Sequence, residues 1–274
     1  MAPQIASRKA AKDFLQRHPR LKGNRVFHEL QRRRGYRGVQ VRPELTDRTD
    51  LLEQLAGRGV AVAPDFFPPA QIEEMLAGCD EVIRRARDGE LADRTFTVQP
   101  DILFRIGKVD ELVPATRAFF EDPAIRSVME ANLSPRVASF RREMETRFGL
   151  SKMAQADLFH FDNWQPICKA FLYLVDVGEE NAPFAYLAGS HRRAKWRLPH
   201  EVAFSAYGKH GRFGHLFPQE VRKLREDNPD WDEVVCTGTA GTLILADLRG
   251  LHRGTPLREG RRVLLNNTFD LMNA

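Results

Sequence analysis

The chain is poor in the features that define several protein classes. It has only three cysteines, Cys79, Cys168 and Cys236, widely spaced and without a CxxC. That excludes a disulfide-stapled scaffold and argues against a cysteine zinc site, so a reducing, cytoplasmic setting is expected. No apolar run reaches the ~18 residues needed to cross a bilayer, so no membrane role is expected. The first residues, Met1 to Lys9, lack the apolar core of a signal peptide. Internal repeats and low-complexity tracts are absent as well, which excludes solenoids and fibrous arrays.

What remains is a 274-residue chain with 42% apolar and 29% charged residues. That suits one large globular domain, or one domain with an extension. The formal net charge is +5. Residues 1–48 hold 13 Lys/Arg against 4 Asp/Glu, a net of +9, and residues 49–274 hold 29 against 33, a net of −4. The basic character therefore belongs to an N-terminal segment with a few apolar anchors, such as Phe14, Leu15 and Phe27. It reads as a helical extension that docks or assembles, including as a homo-oligomer contact, with nucleic acid the weaker reading.

From residue 49 a catalytic-domain pattern begins. Leu51–Leu55 reads as a helix stopped near Gly57 and Gly59, and Val60–Ala63 as a short strand. Pro68 and Pro69 open an amphipathic helix with Ile72, Met75, Leu76, Cys79, Val82 and Ile83 on one face. Residues 111–132 are expected to be helical with a break at Asp122-Pro123. Segments 137–147, 156–162, 169–177, 183–188, 233–237, 241–247 and 262–270 then read as short strands. The interruption at 199–230 is a candidate lid. The fold class is mainly β with a helical N-terminal layer: a cupin-like jelly roll, the double-stranded β-helix.

In a strand, His160 and Asp162 share a face. With 8 His and 18 Asp, roughly half an HxD arises by chance in such a chain, so the motif alone is weak. The C-terminal context strengthens it. The strand Gly241–Asp247 leads to His252, and Arg261-Arg262 heads the next strand. Two histidines and one carboxylate leave half an octahedron open, the facial triad of non-heme Fe(II) oxygenases. A 2-oxo acid can chelate two open positions and leave one for dioxygen. Its far carboxylate needs an arginine fork. Arg262 shares a strand face with Leu264, Asn266 and Thr268, whereas Arg261 points away, so Arg262 is preferred.

These residues carry a resemblance. From about residue 50 the chain resembles the phytanoyl-CoA dioxygenase family of Fe(II)/2-oxoglutarate oxygenases. The matching stretches are His160-Phe161-Asp162, Lys169 to Val177, Glu179 to Pro183, Gly189 to Arg192, and Leu251 to Gly254 with the trailing Arg262. The resemblance implies the double-stranded β-helix, Fe(II), 2-oxoglutarate, dioxygen and a small-molecule substrate, such as a natural-product intermediate. It implies metal ligation by His160, Asp162 and His252, and a structural turn at His191. Related halogenases have a small residue where Asp162 stands. The carboxylate thus implies hydroxylation, desaturation or ring formation over chlorination. The family's usual glycine before Pro183 is Ala182 here.

Other assignments stay open. Lys169 contacts 2-oxoglutarate or sits at the barrel rim. Asn266 and Thr268 are candidates to reach the co-substrate. Asn163, Trp164, Phe204 and Tyr207 are candidate substrate-wall residues. His18, His28, His200, His210 and His215 receive no role. The competing readings are a cupin-like metal enzyme that does not use 2-oxoglutarate and a non-catalytic binding protein with a basic arm.

Overall fold

The computed structural model describes residues 39–99, 103–149, 158–162, 166–192, 196–197 and 215–271. Helix α1 (Thr49–Arg58) buries Leu51, Leu52 and Leu55 and ends at Gly59, whose φ of 85° is the left-handed conformation that glycine favours at a helix C-terminus. Strand β1 (Val60–Ala63) follows, then α2 (Pro69–Arg87), opened by the expected prolines and burying Ile72, Met75, Cys79, Val82 and Ile83. Strands β2 (Thr95–Gln99) and β3 (Leu103–Gly107) come next. The sequence reading had no strands there.

The helical stretch before the barrel is more broken than expected. It comprises α3 (Val109–Leu112), a 3-10 turn, α4 (Arg117–Phe120) and α5 (Pro123–Asn132). Pro114 and Pro123 each remove a backbone donor and start a new segment. Asp122 caps α5 by accepting from the Ile125 amide at 2.8 Å. Then come β4 (Ala138–Arg147), β5 (Ile167–Tyr173), β6 (Phe184–Leu187), α6 (Pro218–Asp227), β7 (Glu233–Cys236), β8 (Leu243–Asp247), β9 (His252–Gly254) and β10 (Arg262–Asp270).

Two antiparallel sheets result. The larger has the order β1-β8-β5-β10-β4-β3-β2, and the smaller β7-β6-β9. Single bridges from His160 to His252 and to His215 extend the smaller sheet. This is the expected jelly-roll architecture. Strand alternation assigns the two faces of the large sheet. Val263, Leu265 and Phe269 of β10 join the core made with α2 and α5. Leu264 joins Phe171, Tyr173, Phe184, Tyr186 and Ile244 between the sheets. Arg262, Asn266, Thr268 and Asp270 share the face of Leu264, so β10 carries a buried polar ladder into the barrel.

Of the expected lid, residues 218–227 form α6, whose Val221 and Leu224 pack with Phe159, Leu216 and Trp231. Residues 199–214, with Phe204 and Tyr207, lie outside the described residues, as do Asn163, Trp164 and residues 1–38. No helix among the described residues is long and apolar enough to cross a membrane.

Candidate metal centre

His252 opens β9, held between Tyr186 of β6 and His160, whose segment 158–162 makes isolated bridges and not the strand expected there. The His160 amide donates to the His252 carbonyl at 2.8 Å, and the His252 amide returns the bond at 2.9 Å. This exchange puts the two rings side by side, 4.4 Å between centroids. His160 Nδ1 lies 2.9 Å from the Leu158 carbonyl, and His252 Nδ1 lies 3.0 Å from the Gly250 carbonyl. A carbonyl only accepts, so each Nδ1 must carry the proton. Each Nε2 is then left with its lone pair, the form a metal ligand requires.

Both lone pairs face one carboxylate. Asp162 Oδ1 is 3.8 Å from His160 Nε2 and 3.6 Å from His252 Nε2. One ligand atom from each residue falls within 4.8 Å of the others, the one such His/Cys/Asp/Glu grouping among the described residues. Burial, reinforced by the neighbouring His252, pushes the His160 pKa down to about 3, so its ring is neutral at ordinary pH. Burial opposes charge on Asp162, but Lys169 and His252 outweigh it and hold the carboxyl well below its usual range. Two imidazole nitrogens with an ionised carboxylate match the donor set of a borderline divalent transition-metal ion.

Lys169 donates from Nζ to Asp162 Oδ2 at 2.8 Å. It sits on β5 opposite Thr268. A second ring, His215, stacks on His160 at 4.7 Å.

Deeper in the barrel, Arg262 is 3% exposed and donates to the Ala182 carbonyl and to Glu145. Arg261 instead reaches Asp80 on the outer side at 2.6 Å. Arg105 pairs with the other oxygen of Glu145 at 2.7 Å. Arg147 lies opposite Arg262 across β4 and β10 and donates to the Thr255 carbonyl at 2.8 Å. Burial works against charge on Glu145, yet Arg105, Arg262 and Arg147 keep it ionised, below the usual carboxylate range. Arg105 and Arg262 share this one carboxylate, and Arg262 offers the planar fork of donors that suits a carboxylate. The sequence reading missed Arg105, Glu145 and Arg147. The available signal was the parity of Glu143, Glu145 and Arg147 along β4, a charged row on the face that meets the barrel interior.

His191 Nε2 donates to the Ala56 carbonyl, 3.1 Å away, in the turn after β6. A groove of about 540 Å³ runs outside the His160 segment, between Phe159, Val221, Arg225, Trp231 and Arg253, and none of the triad lines it.

Fold and site together define a jelly-roll protein with a two-histidine, one-carboxylate cluster. The family model of phytanoyl-CoA dioxygenase (PhyH) matches residues 56–262, and the chain belongs to that family. No curated protein matches the chain in sequence. Among solved structures, it is similar to AviO1 from Streptomyces viridochromogenes Tue57, with 19% identity, TM-score 0.59, and coverage of 82% of this chain and 95% of that one. It is also similar to the non-heme alpha ketoglutarate dependent epimerase SnoN of nogalamycin biosynthesis, with 15% identity, TM-score 0.53 and 81% of each chain covered. A third is HygX from Streptomyces hygroscopicus, with nickel, 2-oxoglutarate and hygromycin B bound. There the identity is 17% and the TM-score 0.52, with 81% of this chain and 86% of that one covered.

Proposed function

We propose that this chain is an Fe(II)/2-oxoglutarate-dependent oxygenase that hydroxylates an unactivated C–H bond of a small molecule. The observation that carries the reading is the convergence of His160, Asp162 and His252, with both imidazoles locked in the metal-ready tautomer. Family membership supports it, as do SnoN, an alpha ketoglutarate dependent epimerase, and HygX, which has 2-oxoglutarate bound. On this reading His160, Asp162 and His252 hold Fe(II). Arg262 receives the far carboxylate of 2-oxoglutarate.

When bound, the iron and co-substrate supply the activation of dioxygen for C–H oxidation. The protein's part is geometric and electrostatic. The paired backbone of His160 and His252 fixes the ligand rings. Lys169 orients Asp162 so that one oxygen faces the histidines. The apolar wall of Phe171, Phe184 and Tyr186 excludes water. The ionised Asp162 occupies the carboxylate position, which favours hydroxylation over halide transfer.

Residues 49–274 form the oxygenase domain in this account, with residues 1–48 a basic arm for docking or assembly. Three buried, unpaired cysteines suit a cytoplasmic location. The test is succinate release from 2-oxoglutarate by the purified chain. Release is expected to require Fe(II) and dioxygen and to vanish in Asp162→Ala. Release that is independent of iron, or unchanged in that variant, contradicts the reading.

A further inference from the structure

We propose that the substrate carries a protonated amine, received by Glu143 with Asn266 and Thr268. This rests on the Fe(II)/2-oxoglutarate reading of the neighbouring triad.

Glu143 of β4 lies directly opposite Asn266 of β10. Thr268 is the next residue on that face, opposite Lys169, whose ammonium bonds Asp162. The patch is therefore continuous in register from Asp162 to Glu143. Glu143, Asn266 and Thr268 are 6%, 4% and 2% exposed. Among the described residues, Glu143 Oε2, Asn266 Oδ1 and Thr268 Oγ1 have no hydrogen-bond partner. The other oxygen of Glu143 is 3.6 Å from Arg141 Nε, beyond hydrogen-bond length.

An unpartnered buried acceptor is unfavourable, and an unpartnered carboxylate more so. Glu143 Oε2 and Asn266 Oδ1 accept only and need a donor, and the Thr268 hydroxyl can accept from the same group. The buried cations nearby are engaged elsewhere, Arg105 and Arg262 with Glu145 and Lys169 with Asp162, and the half-exposed Arg141 forms a long ion pair with the other Glu143 oxygen only. An ammonium offers three N–H donors and a positive charge, which matches two neutral acceptors and one carboxylate. The carboxylates of 2-oxoglutarate only accept and are repelled by Glu143. Asn266 and Thr268, expected from sequence to reach the co-substrate, are assigned here to the substrate side. Arg105 links the two regions: Glu145 raises its pKa against the effect of burial, and Glu143 and Asp162 add to the rise.

The experiment uses the full chain loaded anaerobically with Fe(II) and 2-oxoglutarate. Its probes are amino sugars, amino cyclitols and amino acids, each paired with its N-acetylated form. The readout is perturbation of the visible absorption of the iron–2-oxoglutarate complex. Amines are expected to perturb it and their acetylated partners to bind at least about tenfold more weakly, as loss of a charge-assisted bond implies. Glu143→Gln should weaken the amines by a similar factor, and Asn266→Asp, which adds a second carboxylate, should tighten them. Equal binding of acetylated forms, a panel in which no amine acts, or amine affinities unmoved by both variants overturns the proposal. Absence of the absorption with Fe(II) and 2-oxoglutarate alone instead overturns the cofactor reading beneath it.

Discussion

Lys169 Nζ stands 2.8 Å from Asp162 Oδ2, while the carboxylate's other oxygen faces His160 and His252. The ammonium thus occupies one side of the carboxylate and leaves the other for a metal. Lys169→Met removes the counter-charge of a half-buried carboxylate. The metal-free variant should lose about 2 kcal/mol, between the values for exposed and fully buried pairs. Fe(II) should restore most of the deficit, because the ion supplies the missing positive charge. Denaturant melts with and without metal check this; an equal deficit in both states contradicts it.

Arg262 is the next test. Arg262→Ala should raise the apparent KM for 2-oxoglutarate by more than about tenfold, with a smaller change in kcat, since it removes a bidentate anchor. Arg261→Ala is the control, because Arg261 reaches Asp80 on the outer surface. Steady-state kinetics with varied 2-oxoglutarate decides; an unaltered KM in Arg262→Ala refutes the role.

Asp270 ends the polar ladder of β10, and burial pushes its pKa up to about 6. A carboxyl raised in the folded state favours the protonated form there. Its contribution to stability is present below the unfolded pKa near 4 and is lost as pH rises through about 6. Asp270→Asn should therefore match wild type near pH 4 and exceed it by up to about 2 kcal/mol at pH 7. Urea melts across that range test the sign; a constant difference contradicts it.

Ala182 adopts φ 58°. A non-glycine residue in this left-handed region costs about 1–2 kcal/mol. Its carbonyl accepts from Arg262, so the turn must hold that shape. Ala182→Gly should raise stability by about 1 kcal/mol, after the added unfolded-state entropy of glycine is subtracted. A thermal melt measures it; a lower Tm contradicts it.

Some of this was legible in sequence for definite reasons. The apolar spacing of α2 and the alternation of β10 survive as periodicities of 3.6 and 2, so both elements and their buried faces could be read. The strand β9 is three residues long, too short to show alternation, and β2 and β3 lie among turn residues that mask theirs. The arginine cluster around Glu145 and the stacking of His215 on His160 depend on pairing between distant segments. Register links residues tens of positions apart, and no local pattern encodes it. Charged residues such as Glu143 and Glu145 read as surface until the strand opposite is known.

The central claim is that His160, Asp162 and His252 hold one Fe(II) that binds 2-oxoglutarate. Anaerobic titration of the metal-free protein with Fe(II), then 2-oxoglutarate, tests it most directly, followed by visible absorption and metal analysis. The account predicts one iron per chain and an absorption band that requires both additions, each lost in Asp162→Ala and in His252→Ala. Stoichiometric iron with an intact band in either variant would contradict it.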